Sequence, residues 1–150
     1  MATHEYKVAV EWTGGRDGHG AAAPEVSGSR FELAVPPEFG GAGGATNPEE
    51  LLTSAIGACY SMTYGIIAAN RKVPLEGLTT EVTGEVDQNG AMFNYIRVTL
   101  RPTIRLAADA TDEQVKVAED VAHKADGYCI ITNAVRGKVA VTVEPTVQRG

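Results

Sequence analysis

The chain has 150 residues, 43% of them hydrophobic and 21% charged, which is the make-up of one globular domain (residues 1–150) able to bury a core and excludes a disordered or fibrous chain. Its formal net charge of −6 at pH 7 comes with scattered basic residues. Nucleic acid and anionic membrane surfaces need clustered positive charge, so the sequence argues against both as partners.

The first ten residues, Met1 to Val10, hold neither a signal-peptide apolar core nor a small-residue cleavage pattern, and the expected location is the cytoplasm. No stretch supplies about 18 uninterrupted apolar residues, so no membrane span is expected. Residues Tyr6 to Trp12 are apolar and β-branched enough for a strand, which Gly14-Gly15-Arg16-Asp17-Gly18 breaks, leaving Arg16 on a glycine loop. A second strand is expected over Ser29 to Val35, where Phe31, Leu33 and Val35 alternate with Arg30, Glu32 and Ala34. The glycine run Gly40-Gly41-Ala42-Gly43-Gly44 lacks the Gly-Lys-Ser/Thr ending of a phosphate-binding loop and reads as a flexible connection.

Asn47-Pro48-Glu49-Glu50 is the strongest helix start in the chain: an Asn cap, Pro at the first helical position, and carboxylates at the positive end of the helix dipole. The helix is expected to reach about Asn70. Its body carries almost no charge and many small residues, the pattern of a central helix buried on most sides. Leu78 to Val86 alternates, Asn89-Gly90 supplies a hairpin turn, and Tyr95 to Leu106 resumes the strand pattern. Thr111-Asp112-Glu113-Gln114 is a capping box opening an amphipathic helix that Gly127 is expected to end. A short helix over Cys129 to Arg136 and a strand over Lys138 to Val143 follow. Strands grouped around helices and joined by hairpins, without regular crossovers, indicate an α+β domain.

Only two cysteines occur, Cys59 in the long helix and Cys129 after the second one. Free cysteine is among the most buried residue types, so two inert fillers and a redox pair both remain open. A reducing cytoplasm disfavours a structural disulfide. No Cys-x-x-Cys or closely spaced His pair suggests zinc, and His4, His19 and His123 stand far apart. Cys59 lies roughly three turns into its helix, beyond the reach of the N-terminal dipole, and an apolar site would raise its pKa. A reactive Cys59 is therefore expected to need a cation from elsewhere in the fold.

The run Asn47 to Leu52, then Ala58-Cys59-Tyr60-Ser61-Met62, and Cys129 with Asn133-Ala134-Val135-Arg136-Gly137 closely resemble the organic hydroperoxide resistance proteins and osmotically inducible peroxidases, the OsmC/Ohr family. Gly14 to Gly18, and Phe39-Gly40-Gly41 with Ala45-Thr46, are similar to the hydroperoxide resistance branch in particular. The resemblance runs through nearly the whole chain in the right order. It implies an OsmC-like α+β fold in an intertwined homodimer, two long central helices wrapped by antiparallel β-sheets.

By the same resemblance Cys59 matches the peroxidatic cysteine, Cys129 the resolving cysteine, Arg16 the arginine that stabilises the thiolate, and Glu49 the carboxylate that orients it. The implied substrates are organic hydroperoxides, and the implied reductant is a dithiol such as a dihydrolipoyl carrier protein. No metal, haem or flavin cofactor is implied. The apolar neighbours Ile56, Tyr60 and Met62 favour alkyl or lipid hydroperoxides over hydrogen peroxide. One departure stands out: the family's proline after the second cysteine is replaced in Cys129-Ile130-Ile131-Thr132.

Glu49 and Cys59 are ten residues apart, about 15 Å along a continuous helix, so one helix cannot bring them together. Two such helices packed antiparallel about a two-fold axis can. Two other classes stay open, a redox-inactive module binding lipophilic ligands and a redox sensor. Only catalytic turnover separates them from a peroxidase.

Overall fold

The alternation of Val8, Val10 and Trp12 with smaller or charged residues forms strand β1 (Val8–Thr13), which pairs antiparallel with β2 (His19–Pro24). In turn β2 pairs with the short β3 (Phe31–Leu33). The structure, a computed structural model, describes residues 1–150 and divides into two compact units, Met1–Leu51 and Leu52–Gly150. The sequence suggests β1 and β3 with different ends and misses β2 altogether. His-Gly-Ala-Ala-Ala-Pro has no β-branched residue, and β2 owes its conformation to ladders on both sides.

The first unit continues past β3 through backbone bonds between Ala34 N–H and the Thr46 carbonyl (3.0 Å) and between Thr46 N–H and the Glu32 carbonyl (3.1 Å). A 3-10 turn, Pro37–Phe39, sits between them. The glycine run expected to be a flexible connection is tied down, because Gly41 N–H bonds the Pro36 carbonyl at 3.1 Å and Gly43 N–H the Val35 carbonyl at 3.1 Å. Within this unit β1 is exposed along its whole length.

Helix α1 (Pro48–Asn70) begins where its cap signals place it. Asn47 Oδ1 accepts from Glu50 N–H at 2.9 Å, and Asn47 Nδ2 donates to Glu50 Oε1 at 2.8 Å, a reciprocal cap worth about 1 kcal/mol. Its burial departs from expectation: Ile56, Gly57, Tyr60, Tyr64 and Ala68 are buried, whereas Met62 and Ile66 are 69% and 63% exposed. One stripe of the helix meets the core, and the opposite apolar stripe does not. By length and composition α1 is also long and apolar enough to cross a membrane. Thr53, Ser54, Ser61 and Thr63 interrupt its apolar residues, so it holds no uninterrupted apolar stretch of that length.

The second unit is built on a long hairpin, β4 (Leu75–Asn89) and β5 (Met92–Leu106), paired antiparallel about a turn at Gly90-Ala91, one position beyond the expected Asn89-Gly90, since Asn89 itself pairs with Met92. Helix α2 (Asp112–Tyr128) opens with the reciprocal Thr111–Gln114 capping box. It runs through Gly127 where the sequence suggests a stop. Cys129 separates it from α3 (Ile130–Val135). Strands β6 (Ala140–Val143) and β7 (Thr146–Arg149) then pair with β5, both in parallel. The α+β class stands, but this sheet is mixed, and the return from β5 to β6 is a crossover through α2 and α3. The expectation of hairpins alone is corrected on that point, and β7 was not foreseen.

Ile56, Tyr60, Tyr64 and Ala68 of α1 pack with Val98, Leu100, Ile104 and Leu106 of β5 and with Ala118, Val121, Ala122 and Ala125 of α2. Each large aliphatic side chain buried here contributes about 1.5–3 kcal/mol. The alanines of α2 leave room for the two tyrosine rings, whose hydroxyls donate to the Ala122 carbonyl at 2.7 Å and the Ala118 carbonyl at 3.1 Å. Gly57 lets the helix approach the sheet, since a Cβ there would stand 2.6 Å from Val82 Cγ2.

Candidate active site

Cys59 sits mid-way along α1 and is partly exposed, whereas Cys129, at the corner between α2 and α3, is fully buried. The fold brings the two together: the sulfurs are within hydrogen-bonding reach of each other. Cys129 Sγ also accepts the backbone N–H of Thr132 at 3.3 Å. This juxtaposition depends on the α2–α3 corner, which a small network holds. Asn133 Nδ2 donates to the Gly127 carbonyl at 3.0 Å. Arg136 donates from Nε to Asn133 Oδ1 at 3.0 Å and from Nη2 to the Asp126 carbonyl at 3.2 Å and Asp126 Oδ2 at 3.3 Å.

The two thiols are inequivalent. Burial pushes the Cys59 thiol up, but hydrogen bonds from Cys129, the backbone N–H of Ile131, the Thr63 hydroxyl and the backbone N–H of Ile130 together outweigh it and hold the pKa below the usual thiol range. Cys129 is pushed the other way, by burial first and then by the adjacent Cys59, against the opposing pull of Thr132. The pair therefore ionises on Cys59 first, with Cys129 as the donor. The expectation that only a cation could activate Cys59 is corrected: donors in its own unit lower its pKa without one.

Thr63 and Thr132 were not singled out in the sequence. Thr63 follows Cys59 by four residues, the helical spacing that puts two side chains on one face, and Thr132 follows Cys129 by three. Thr132 is fully buried, and its Oγ1 has no hydrogen-bond partner of ordinary geometry, although it stands close enough to Cys129 to lower that thiol's pKa. A buried hydroxyl left so costs about 1–3 kcal/mol.

Beside Thr63 lies a groove of about 530 Å³ lined by Ile66, Ile67, Arg71, Lys124 and Tyr128. Its walls are apolar. The two cations at its edge are held by Asp120, which accepts from Arg71 Nη1 at 2.5 Å and from Lys124 Nζ at 2.9 Å.

Arg16 and Glu49 belong to the first unit. Arg16 is exposed and lies over Gly40, whose φ of 80° suits glycine and where a Cβ would come within 3.1 Å of Arg16 Cδ. Glu49 is half-buried in the first turn of α1 and joins the wall of an apolar pocket of about 410 Å³ formed with Val10, Trp12, Leu33, Val35 and Phe39. No three or more His, Cys, Asp or Glu side chains gather in a way that could hold a metal ion.

Residues 41–144 match the family model described as OsmC-like protein. The chain belongs to the OsmC-like family. It is 30% identical over 150 residues to the uncharacterized protein YmaD of Bacillus subtilis (strain 168), covering 100% of this chain and 99% of that one. It is also 30% identical over 134 residues to an organic hydroperoxide resistance protein of Xanthomonas axonopodis pv. citri, covering 87% of each. Among solved structures, an organic hydroperoxide resistance protein OsmC from Legionella pneumophila superposes with a TM-score of 0.75 at 29% identity, covering 97% of this chain and 100% of that one.

Proposed function

We propose that this OsmC-like protein is a thiol-dependent peroxidase that reduces organic hydroperoxides to alcohols. The observation that carries the reading is the Cys59–Cys129 pair, one thiol partly exposed with its pKa lowered, the other buried and protonated within reach of it. Relatives named for organic hydroperoxide resistance support it.

On this reading the Cys59 thiolate attacks the outer peroxide oxygen. The O–O bond breaks, the alkoxide leaves as an alcohol after gaining a proton, and Cys59 becomes a sulfenic acid. Cys129 then attacks the sulfenic sulfur, water leaves, and a disulfide joins the two. An external dithiol restores both thiols, and a dihydrolipoyl group on a carrier protein has the required chemistry. The apolar groove beside Thr63 favours alkyl or lipid substrates over hydrogen peroxide.

Arg16 and Glu49 complete the site in this proposal, the guanidinium stabilising the thiolate and the leaving alkoxide, and the carboxylate orienting the guanidinium. A homodimer lets Glu49 of one subunit serve Cys59 of the other. The apolar side chains left exposed on β1 (Val8, Val10, Trp12) and at Met62 on α1 favour such an assembly. The enzyme works in the cytoplasm, where thiols are kept reduced.

A coupled peroxidase assay with dithiothreitol tests the proposal. Sustained consumption of cumene hydroperoxide, faster than that of hydrogen peroxide, is expected. A single oxidation without turnover returns the protein to the sensor class, and no consumption returns it to the binding class.

A further inference from the structure

The thiol-peroxidase reading leaves open which sulfur of the disulfide the reductant attacks, and the site distinguishes the two. Cys129 is fully buried, while Cys59 is partly exposed and its hydrogen-bond partner Thr63 lines an open groove. Cys129 alone has a buried residue devoted to it: the Thr132 backbone N–H points at its sulfur at 3.3 Å, and the Thr132 hydroxyl beside it is buried with no regular partner. A neutral thiol at Cys129 already accepts one donor and leaves that hydroxyl unused. A thiolate there, with a full negative charge on sulfur, accepts both.

We propose that an external dithiol attacks the Cys59 sulfur of the Cys59–Cys129 disulfide and that Cys129 departs as a thiolate stabilised by the N–H and hydroxyl of Thr132. The attacking thiolate forms a bond to Cys59 Sγ as the bond between the two cysteines breaks, and the electron pair of that bond goes to Cys129 Sγ. The second thiol of the reductant loses its proton and attacks its own sulfur in the mixed disulfide. Cys59 is released as a thiolate and the reductant closes to a cyclic disulfide, having supplied two electrons. Cys129 takes up a proton.

Attack on the other sulfur requires the reductant to enter a closed site. While Cys59 is tied up in the mixed disulfide, the neighbouring anion that opposes ionisation of Cys129 is gone, and the Thr132 donors act against burial alone. A leaving thiol that is better stabilised as its anion departs faster. Thr132 thus acts on a reacting atom during recycling.

The experiment forms the disulfide with diamide, so it does not depend on peroxidase activity. Reduction by excess dithiothreitol is then followed by thiol release as a function of pH. Thr132→Val keeps the shape and loses the hydroxyl, and reduction about tenfold slower is expected, equivalent to about 1.4 kcal/mol. Thr132→Ser should restore the rate. In the wild-type protein, early acid quenching of a reaction with glutathione should place the mixed disulfide on Cys59. This mapping decides the question even if Thr132→Val fails to fold. Glutathione on Cys129, or Thr132→Val reduced within twofold of wild type, overturns the proposal with the peroxidase reading intact. Failure of diamide to join Cys59 to Cys129 overturns the thiol-pair reading and this step with it.

Discussion

Thr63→Val removes one donor from the Cys59 thiolate while keeping a β-branched side chain of nearly the same shape on the same turn of α1. A net hydrogen bond is worth about 0.5–1.5 kcal/mol, and bonds to charged groups are worth more. Cys59 is partly exposed, so water can replace the lost donor, and the effect is set at about 1 kcal/mol, a factor of about 5 in the thiolate equilibrium. The sign follows from the depressed pKa: the donor favours the anion, so its removal moves ionisation to higher pH. The rate of iodoacetamide alkylation, measured from acid to alkaline pH, should fall about fivefold on the acid limb and converge with wild type once both proteins are ionised. Buried Cys129 should contribute little to the signal. Superimposable profiles for Thr63→Val and wild type would refute the argument that local donors, and not a cation alone, activate this thiol.

Cys59→Ser is expected to abolish peroxidase turnover, whereas Cys129→Ser should permit one oxidation and then stall at the sulfenic acid, detectable with a dimedone probe. Arg16→Ala should slow peroxide attack in single-turnover kinetics with a change in stability within about 0.5 kcal/mol, because the side chain is exposed. Mixing Cys59→Ser with Glu49→Ala protomers should restore activity in verified heterodimers if Glu49 acts across the interface, and no recovery would remove that role. Tyr64 is fully buried and pushed up to about 12 by that burial, so the folded state keeps a proton that the unfolded state loses near pH 10. Its contribution is intact below pH 10 and is lost as pH rises toward 12, about 3 kcal/mol in urea unfolding; buried Tyr60, also pushed up by burial, adds to the wild-type decline, so Tyr64→Phe should decline by about 3 kcal/mol less than wild type over this window.

Local chemistry was legible in the sequence wherever a few neighbouring residues decide the structure. Asn47-Pro48 starts α1, Thr111 and Gln114 start α2, and the long hairpin turns at Gly90-Ala91, next to the Asn89-Gly90 signal. Non-local choices were not legible. Strand β2, with three alanines between a glycine and a proline, exists because two strands flank it. The parallel pairing of β6 and β7 with β5 is decided by a crossover some thirty residues long. The apolar body of α1 suggests burial all round, but composition does not reveal which stripe meets a neighbour, and Met62 and Ile66 face outward.

The site divides in the same way. Two cysteines and their motifs singled out Cys59 and Cys129, but their approach to each other is a product of the α2–α3 corner that Asn133 and Arg136 hold. Thr63 and Thr132 were invisible because threonine is common and its meaning here comes from which sulfur it faces. Activation of Cys59 by hydrogen bonds was missed for the same reason: the donors on Ile130 and Ile131 are backbone N–H groups that no side-chain pattern advertises.

The central claim is that Cys59 and Cys129 work as one peroxide-reducing unit. The most direct measurement treats the fully reduced protein with one equivalent of cumene hydroperoxide, then combines thiol titration with mass spectrometry of the digested, alkylated protein. The account predicts loss of both thiols per hydroperoxide consumed, one equivalent of alcohol, and a peptide pair bridged through Cys59 and Cys129. Consumption of the hydroperoxide with both thiols intact, or oxidation that leaves Cys129 free and unbridged, would contradict it.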